Sequence, residues 1–164
     1  MRVVEVRVAK RNVFISFDHD DQRQVGGFRS LKANADHPLE FNDHSIREPI
    51  LGVSGKPIKY APDDARSKPV RDEIIRKFDR SLKLVVLIGD GTYTSVWVAW
   101  EVSTFYNMKK SLSGDNTWKR IRGMRLKGSE RATIPAALGG VSTEVMDWNP
   151  EALDVWIDKD PDAQ

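Results

Sequence analysis

Ser81–Met108 reads SLKLVVLIGDGTYTSVWVAWEVSTFYNM, and the order of residue types in it decides the architecture. Leu82–Ile88 is a short, nearly continuous apolar run containing Val85, Val86 and Ile88. Such a run is the mark of a strand covered on both faces. Gly89-Asp90-Gly91 is a tight turn. Thr94 and Ser95 supply hydroxyls for a helix N-terminus. Val96–Lys110 then carries Val98, Val102 and Phe105 at helical spacing, so those three face inward. One residue in this helix does not fit. Glu101 has Trp97 and Phe105 at four positions and Val98 and Thr104 at three. An exposed helical glutamate ordinarily has Lys or Arg at one of those offsets. A carboxylate with no local partner, beside tryptophan, on a helix leaving a strand end, is the first candidate for chemistry.

Upstream, Asn12–Phe17 (NVFISF) reads as the first buried strand. Asp20–Ala35 follows as a helix with Val25, Phe28 and Leu31 on one face, and Asp18, Asp20 or Asp21 to cap it. Leu39–Asn42 is a short second strand. Asp43–Arg66 is long and irregular, broken by Pro49, Pro57 and Pro62; loops of this length are functional or mobile. Ser67–Arg80 is a second helix, with Pro69 in its first turn and a Val70, Ile74, Phe78 stripe. Downstream, Gly123–Lys127 is a fourth strand and Val145–Trp148 a fifth. Pro150–Ile157 is a last helix capped by Asn149. Val3–Val8 alternates valine with charge and reads as an edge strand or a tail.

Alternating strands and helices predict an α/β, flavodoxin-like three-layer sandwich with a five-stranded parallel sheet in the order 2-1-3-4-5. Residues 1–164 are expected to form one domain. Ligands in such sheets bind outside the carboxyl ends of the strands, where the strand order reverses. Here that crevice lies between the first and third strands. Phe17, Asp18 and His19 leave one of them, and Gly89–Ser95 leave the other. Glu101 lies on the helix that follows.

Composition removes several alternatives. The 164 residues are 40% apolar and 30% charged, without cysteine. Disulfides, zinc thiolate sites and cysteine nucleophiles are therefore excluded. A net charge of +2 does not call for a polyanionic partner. The longest apolar run, Leu84–Ile88, is far too short to cross a bilayer, and the N-terminus lacks a signal-peptide core. The expected location is the cytoplasm, with no membrane and no nucleic acid as partner. Gly52–Pro57 is not a phosphate-binding loop, because Pro57 follows Lys56 where Ser or Thr is needed. Gly89-Asp90-Gly91 lacks the third glycine of a dinucleotide fingerprint. His19, His37 and His44 show no metal-ligand spacing and read as surface imidazoles. Asp18–Asp21 reads as capping, with a receiver-like acidic pocket involving Asp90 as a lower alternative. Trp118–Arg131 is rich in Lys and Arg but has no interleaved aromatics, so it reads as a solvated edge.

Taken together, NVFISF, LEFNDHSIREPI and LVVLIGDGTYTSVWVAWEV resemble the small prokaryotic TIR-like proteins, including those of Thoeris anti-phage defence. The resemblance spans Asn12–Lys110. Its most specific element is Ser95-x-Trp97-Val98-x-x-Glu101. It implies a flavodoxin-like fold and cleavage of NAD at the nicotinamide–ribose bond, by hydrolysis or cyclisation. It makes Glu101 the catalytic residue and places Phe17, Asp18, Asp43, Ser45 and Trp97 at the substrate. NAD is then a substrate, and no cofactor or metal is required. The resemblance also implies a homo-oligomer and an effector protein that senses the product. Many TIR domains are adaptors without activity, so a non-enzymatic interaction module is the alternative.

Overall fold

The structure, a computed structural model, describes residues 11–30, 41–43, 55, 59–141 and 145–161. Four parallel strands form its sheet: β1 (Arg11–Phe17), β2 (Phe41–Asp43), β3 (Lys83–Ile88) and β4 (Ile121–Arg125). Their order is β2-β1-β3-β4. β3 is central, pairing with β1 from Val13↔Lys83 to Phe17↔Leu87 and with β4 from Leu84↔Ile121 to Ile88↔Arg125. Every crossover carries a helix: α1 (Gln22–Ser30), α2 (Lys68–Asp79) and α3 (Val96–Ser113), followed by α4 (Pro150–Asp158).

Strand parity sorts the side chains into two cores. Val13, Ile15, Val85 and Leu87 face α1 and α4, where Val25, Phe28, Leu153 and Ile157 meet them. Phe14, Leu84, Val86 and Ile88 face α2 and α3, where Ile74, Phe78, Val98, Val102 and Phe105 meet them. Phe78 sits between Phe14 and Phe105, edge-on to each, at centroid distances of 4.8 and 5.3 Å. Helices on both faces bury β3 along its whole length, which is why its sequence is apolar without alternation.

The fifth strand is the main correction. Val145–Trp148 contributes a single parallel bridge, Met124↔Met146. It is made by Arg125 N donating to the Met146 carbonyl and Met146 N donating to the Gly123 carbonyl, both at 2.9 Å. The segment cannot extend, because Asn149 already caps α4, its side chain accepting from Ala152 N at 3.1 Å. The fourth strand also begins two residues before its expected start. The basic segment is a solvated edge only in part: Lys127 and Arg131 are exposed, but Arg120 is buried, donating to Ser113 Oγ and the Leu82 carbonyl. Arg122 stacks on Trp156, and Arg125 donates to the Ala132 carbonyl.

Two further differences have local causes. Leu82, read as strand, is 38% exposed, whereas Lys83 is buried. Lys83 has the parity of Val85, which aims it at α4, and its ammonium donates to the carbonyls of Trp156, Ile157 and Lys159. The first helix is preceded by a 3₁₀ turn, His19–Asp21. The expected edge strand at Val3–Val8 and the helical stretch after Ser30 lie outside the described residues.

Candidate functional site

β1 ends at Phe17, and the chain bends away through Asp18 and His19 into the 3₁₀ turn. β3 ends at Ile88 and passes Gly89-Asp90-Gly91 into a second 3₁₀ turn, Thr92–Thr94. Ser95 then caps α3, its hydroxyl accepting from Val98 N at 3.2 Å. These two strand exits stand side by side because β1 and β3 are paired neighbours. Between them opens a cleft of about 280 Å³. Phe17, Asp18, His19, Ser95, Trp97 and Glu101 line it, and Val70 and Ile74 of α2 form its apolar wall.

The two exits are locked together. The Thr92 hydroxyl accepts from Gly89 N at 2.8 Å and donates to Asp21 Oδ2 at 3.1 Å. Asp21 lies so close over Gly89 that a Cβ there would fall 2.3 Å from its carboxylate. Gly89 is therefore a close-approach glycine. Burial lifts the Asp21 carboxyl above its ordinary pKa. Repulsion from Asp18, Asp20 and Asp90 adds to this, and the Thr92 bond offsets part of it. The acidic run thus helps to build the rim; among the described residues no group of three or more His, Asp and Glu stands close enough together to hold a metal ion.

Glu101 lies one turn into α3, 9% exposed. Its Oε2 is buried without a hydrogen-bond partner. Burial raises its pKa from 4.5 to about 8. Ser16, an even residue of β1 that faces the α3 side, lowers it somewhat, but the Ser16 hydroxyl does not reach a satisfying bonding geometry. No Lys or Arg lines the cleft among the described residues. An unpartnered buried carboxyl is costly and persists only where something offsets the cost. An arriving cation can do so.

Trp97 is held on both sides. Its indole Nε1 donates to the Tyr60 carbonyl at 2.9 Å, and its ring meets Trp100 edge-on at 5.6 Å. Behind Phe17, the Arg29 guanidinium stands 5.3 Å from the ring centre. Of the sequence-derived site residues, Glu101, Phe17, Asp18 and Trp97 come together in one cleft. Asp43 ends β2, its side chain outside the described residues, and Ser45 lies outside them altogether. Two residues were missed. His19 is exposed, as its reading as a surface imidazole expected, yet it also lines the cleft. Ser16 could have been found from strand parity, since it alternates with Phe14 toward the face that α3 covers.

A family model of the TIR-like domain of the Thoeris protein ThsB matches residues 14–121, more than half of the chain. That span runs from β1 to the start of β4 and contains the whole described cleft lining. No curated protein matches the chain.

Proposed function

The chain belongs to the family of TIR-like domains of the Thoeris protein ThsB, and from that premise we propose that it cleaves NAD at the nicotinamide–ribose bond in anti-phage defence signalling. The observation that carries this reading is the buried Glu101 carboxyl, its Oε2 without a hydrogen-bond partner, inside a cleft with aromatic walls.

The chemistry follows from charge. Nicotinamide in NAD is a pyridinium cation. When the bond to ribose C1′ breaks, the bonding pair goes to the ring nitrogen and neutralises it. Positive charge then develops on the ribose, as in glycoside hydrolysis. A fixed carboxylate beside that carbon stabilises the developing charge, more strongly in a dry site than in water. Glu101 has this role. The pyridinium also answers its ionisation: a cation entering the cleft favours the carboxylate and drives the proton off. Trp97 and Phe17 exclude water and offer flat faces to the ligand's rings. Asp18 and Ser95 also line the cleft and can supply acceptors for ribose hydroxyls. Water attacking C1′ and losing a proton gives hydrolysis. Attack by an atom of the ligand's own base gives a cyclic product. Asp43, the last residue of β2, and Ser45, two residues further along the chain, complete the substrate contacts. The active form is a homo-oligomer, and an effector protein reads the product.

Incubation of the purified protein with NAD at high protein concentration tests the reading. Nicotinamide release is expected from the wild type, with a loss of at least about a hundredfold in Glu101→Gln. Equal turnover in both would remove Glu101 from the mechanism. No turnover in any assembly state would leave a non-enzymatic binding module.

A further inference from the structure

The tryptophan wall of the cleft is held by a segment that does not line the cleft. Trp97 has one hydrogen-bond donor, and it is spent on the carbonyl of Tyr60, 37 residues away. Turning the indole over would forfeit that bond. The orientation of the wall therefore depends on the Tyr60 peptide as well as on the edge-on packing of Trp100.

Residues 60–67 are tied down with unusual thoroughness. The Arg66 guanidinium lies over the Tyr60 ring, 3.5 Å from its centre. Asp64 grips the same guanidinium at two points, 3.0 Å from Nε and 2.8 Å from Nη2. Asp64 also accepts from Arg66 N at 2.9 Å. From the start of α2, Arg71 donates to the carbonyls of Pro62 and Asp64, the latter at 2.7 Å. The Ser67 hydroxyl donates to the Ala61 carbonyl at 2.7 Å. The Arg66–Asp64 pair is exposed, and exposed ion pairs add little to global stability. What it does is local: the paired guanidinium packs on the ring of the residue whose carbonyl receives the indole. The helix this knot is tied to, α2, supplies the opposite wall through Val70 and Ile74. One device thus sets the position of one wall relative to the other.

We propose that the knot from Tyr60 to Arg71 positions the cleft. Arg66 and Arg71, neither of which lines it, act through Trp97 to hold a flat surface at a set spacing from the α2 wall. A ring-bearing ligand then meets a preset slot and does not have to order it. Fixing a binding surface in advance lowers the cost of association. The identity of the ligand rests on the NAD reading; the bracing of Trp97 does not.

The test uses protein labelled with 5-fluorotryptophan, whose five tryptophans give separate fluorine resonances, with Trp97→Phe to assign one. Arg66→Ala and Arg71→Ala are expected to shift or broaden the Trp97 and Trp100 lines and to leave Trp118, Trp148 and Trp156 in place. Arg71→Lys, which can still donate to carbonyls, restores the wild-type lines. Glu73→Ala, which breaks an exposed pair with Arg76 on the same helix, changes nothing. With NAD, KM rises about tenfold in both alanine variants while kcat stays within about twofold, the mark of lost binding that is not specific to the transition state. An unmoved Trp97 line in Arg66→Ala, an exposed residue whose loss leaves the fold intact, overturns the proposal. So does a uniform shift of all five lines. A wild type that releases no nicotinamide defeats the NAD reading alone, because the fluorine spectra still decide the brace.

Discussion

The Glu101 carboxyl costs stability in the pH range where the proposed reaction needs it ionised. Its folded pKa of about 8 lies above the 4.5 of a free side chain. Between those values the native state holds a proton that the unfolded chain has released. Stability from this group therefore falls as pH rises from about 4.5, and the loss is complete above about 8. Glutamine does not titrate. The stability of Glu101→Gln relative to the wild type should thus grow by roughly 2–4 kcal/mol between pH 5 and pH 9, read from urea unfolding at each pH. Parallel curves would mean that the carboxyl is solvated. Activity should show the same group from the other side. The kcat/KM for nicotinamide release is expected to climb about tenfold per pH unit below 8 and then level, since it reports the free enzyme's ionisation. A flat profile from pH 6 to 9 would contradict an ionisable, desolvated Glu101.

Among the elements, β3 and α4 are joined by a side chain whose surroundings its sequence position conceals. Lys83 sits in an apolar strand and ends among the last carbonyls of α4, with its ammonium 4.5 Å from the Trp156 ring. Lysine at a helix C-terminus satisfies carbonyls that have no partner within the helix. Lys83→Met keeps the stem but leaves the Trp156, Ile157 and Lys159 carbonyls without this donor. Destabilisation of roughly 2–4 kcal/mol is expected by chemical denaturation, and a loss under about 0.5 kcal/mol would show that water replaces the ammonium freely. Glycines give opposite signs by position. Gly26 and Gly27 lie within α1 with open space where a Cβ would stand, so alanine at each should stabilise by about 0.5–1 kcal/mol. Gly123 in β4 is different. A Cβ there would come 3.0 Å from both Ile88 Cδ1 and Leu138 Cδ1, and alanine should destabilise by about 1–3 kcal/mol.

For the whole molecule, the cleft lies where two strand exits, α2 and α3 converge, so an occupant bridges elements from both halves of the sheet. Ligand binding is then linked to global stability. Glu101→Gln should bind NAD without consuming it. At about 100 times its Kd, NAD should add about 2.7 kcal/mol to the stability of this variant. That corresponds to a rise in Tm of roughly 5–10 °C for a chain of this size. The expected order is NAD above nicotinamide alone, because the larger ligand has more surface to bury and more polar groups to pair in the cleft. No shift at millimolar NAD would count against a dinucleotide ligand. Among the described residues no helix is long and apolar enough to cross a membrane.

The sequence alone was enough for the parallel winding, because β3 is buried on both faces and a strand so covered must be apolar throughout. It was enough, too, to single out Glu101, because helical periodicity shows which positions can offer it a partner and all of them are uncharged. Strand parity could have exposed Ser16 as well. Tertiary structure alone decided the rest. Whether Val145–Trp148 becomes a strand depends on how soon α4 must start. Whether Lys83 is buried depends on where that helix ends, and whether Arg120, Arg122 and Arg125 meet water depends on which carbonyls and rings lie above them. The hold of Tyr60 on Trp97 spans 37 residues and uses a backbone carbonyl. Every residue type has such a carbonyl, so no pattern of side chains could have announced it.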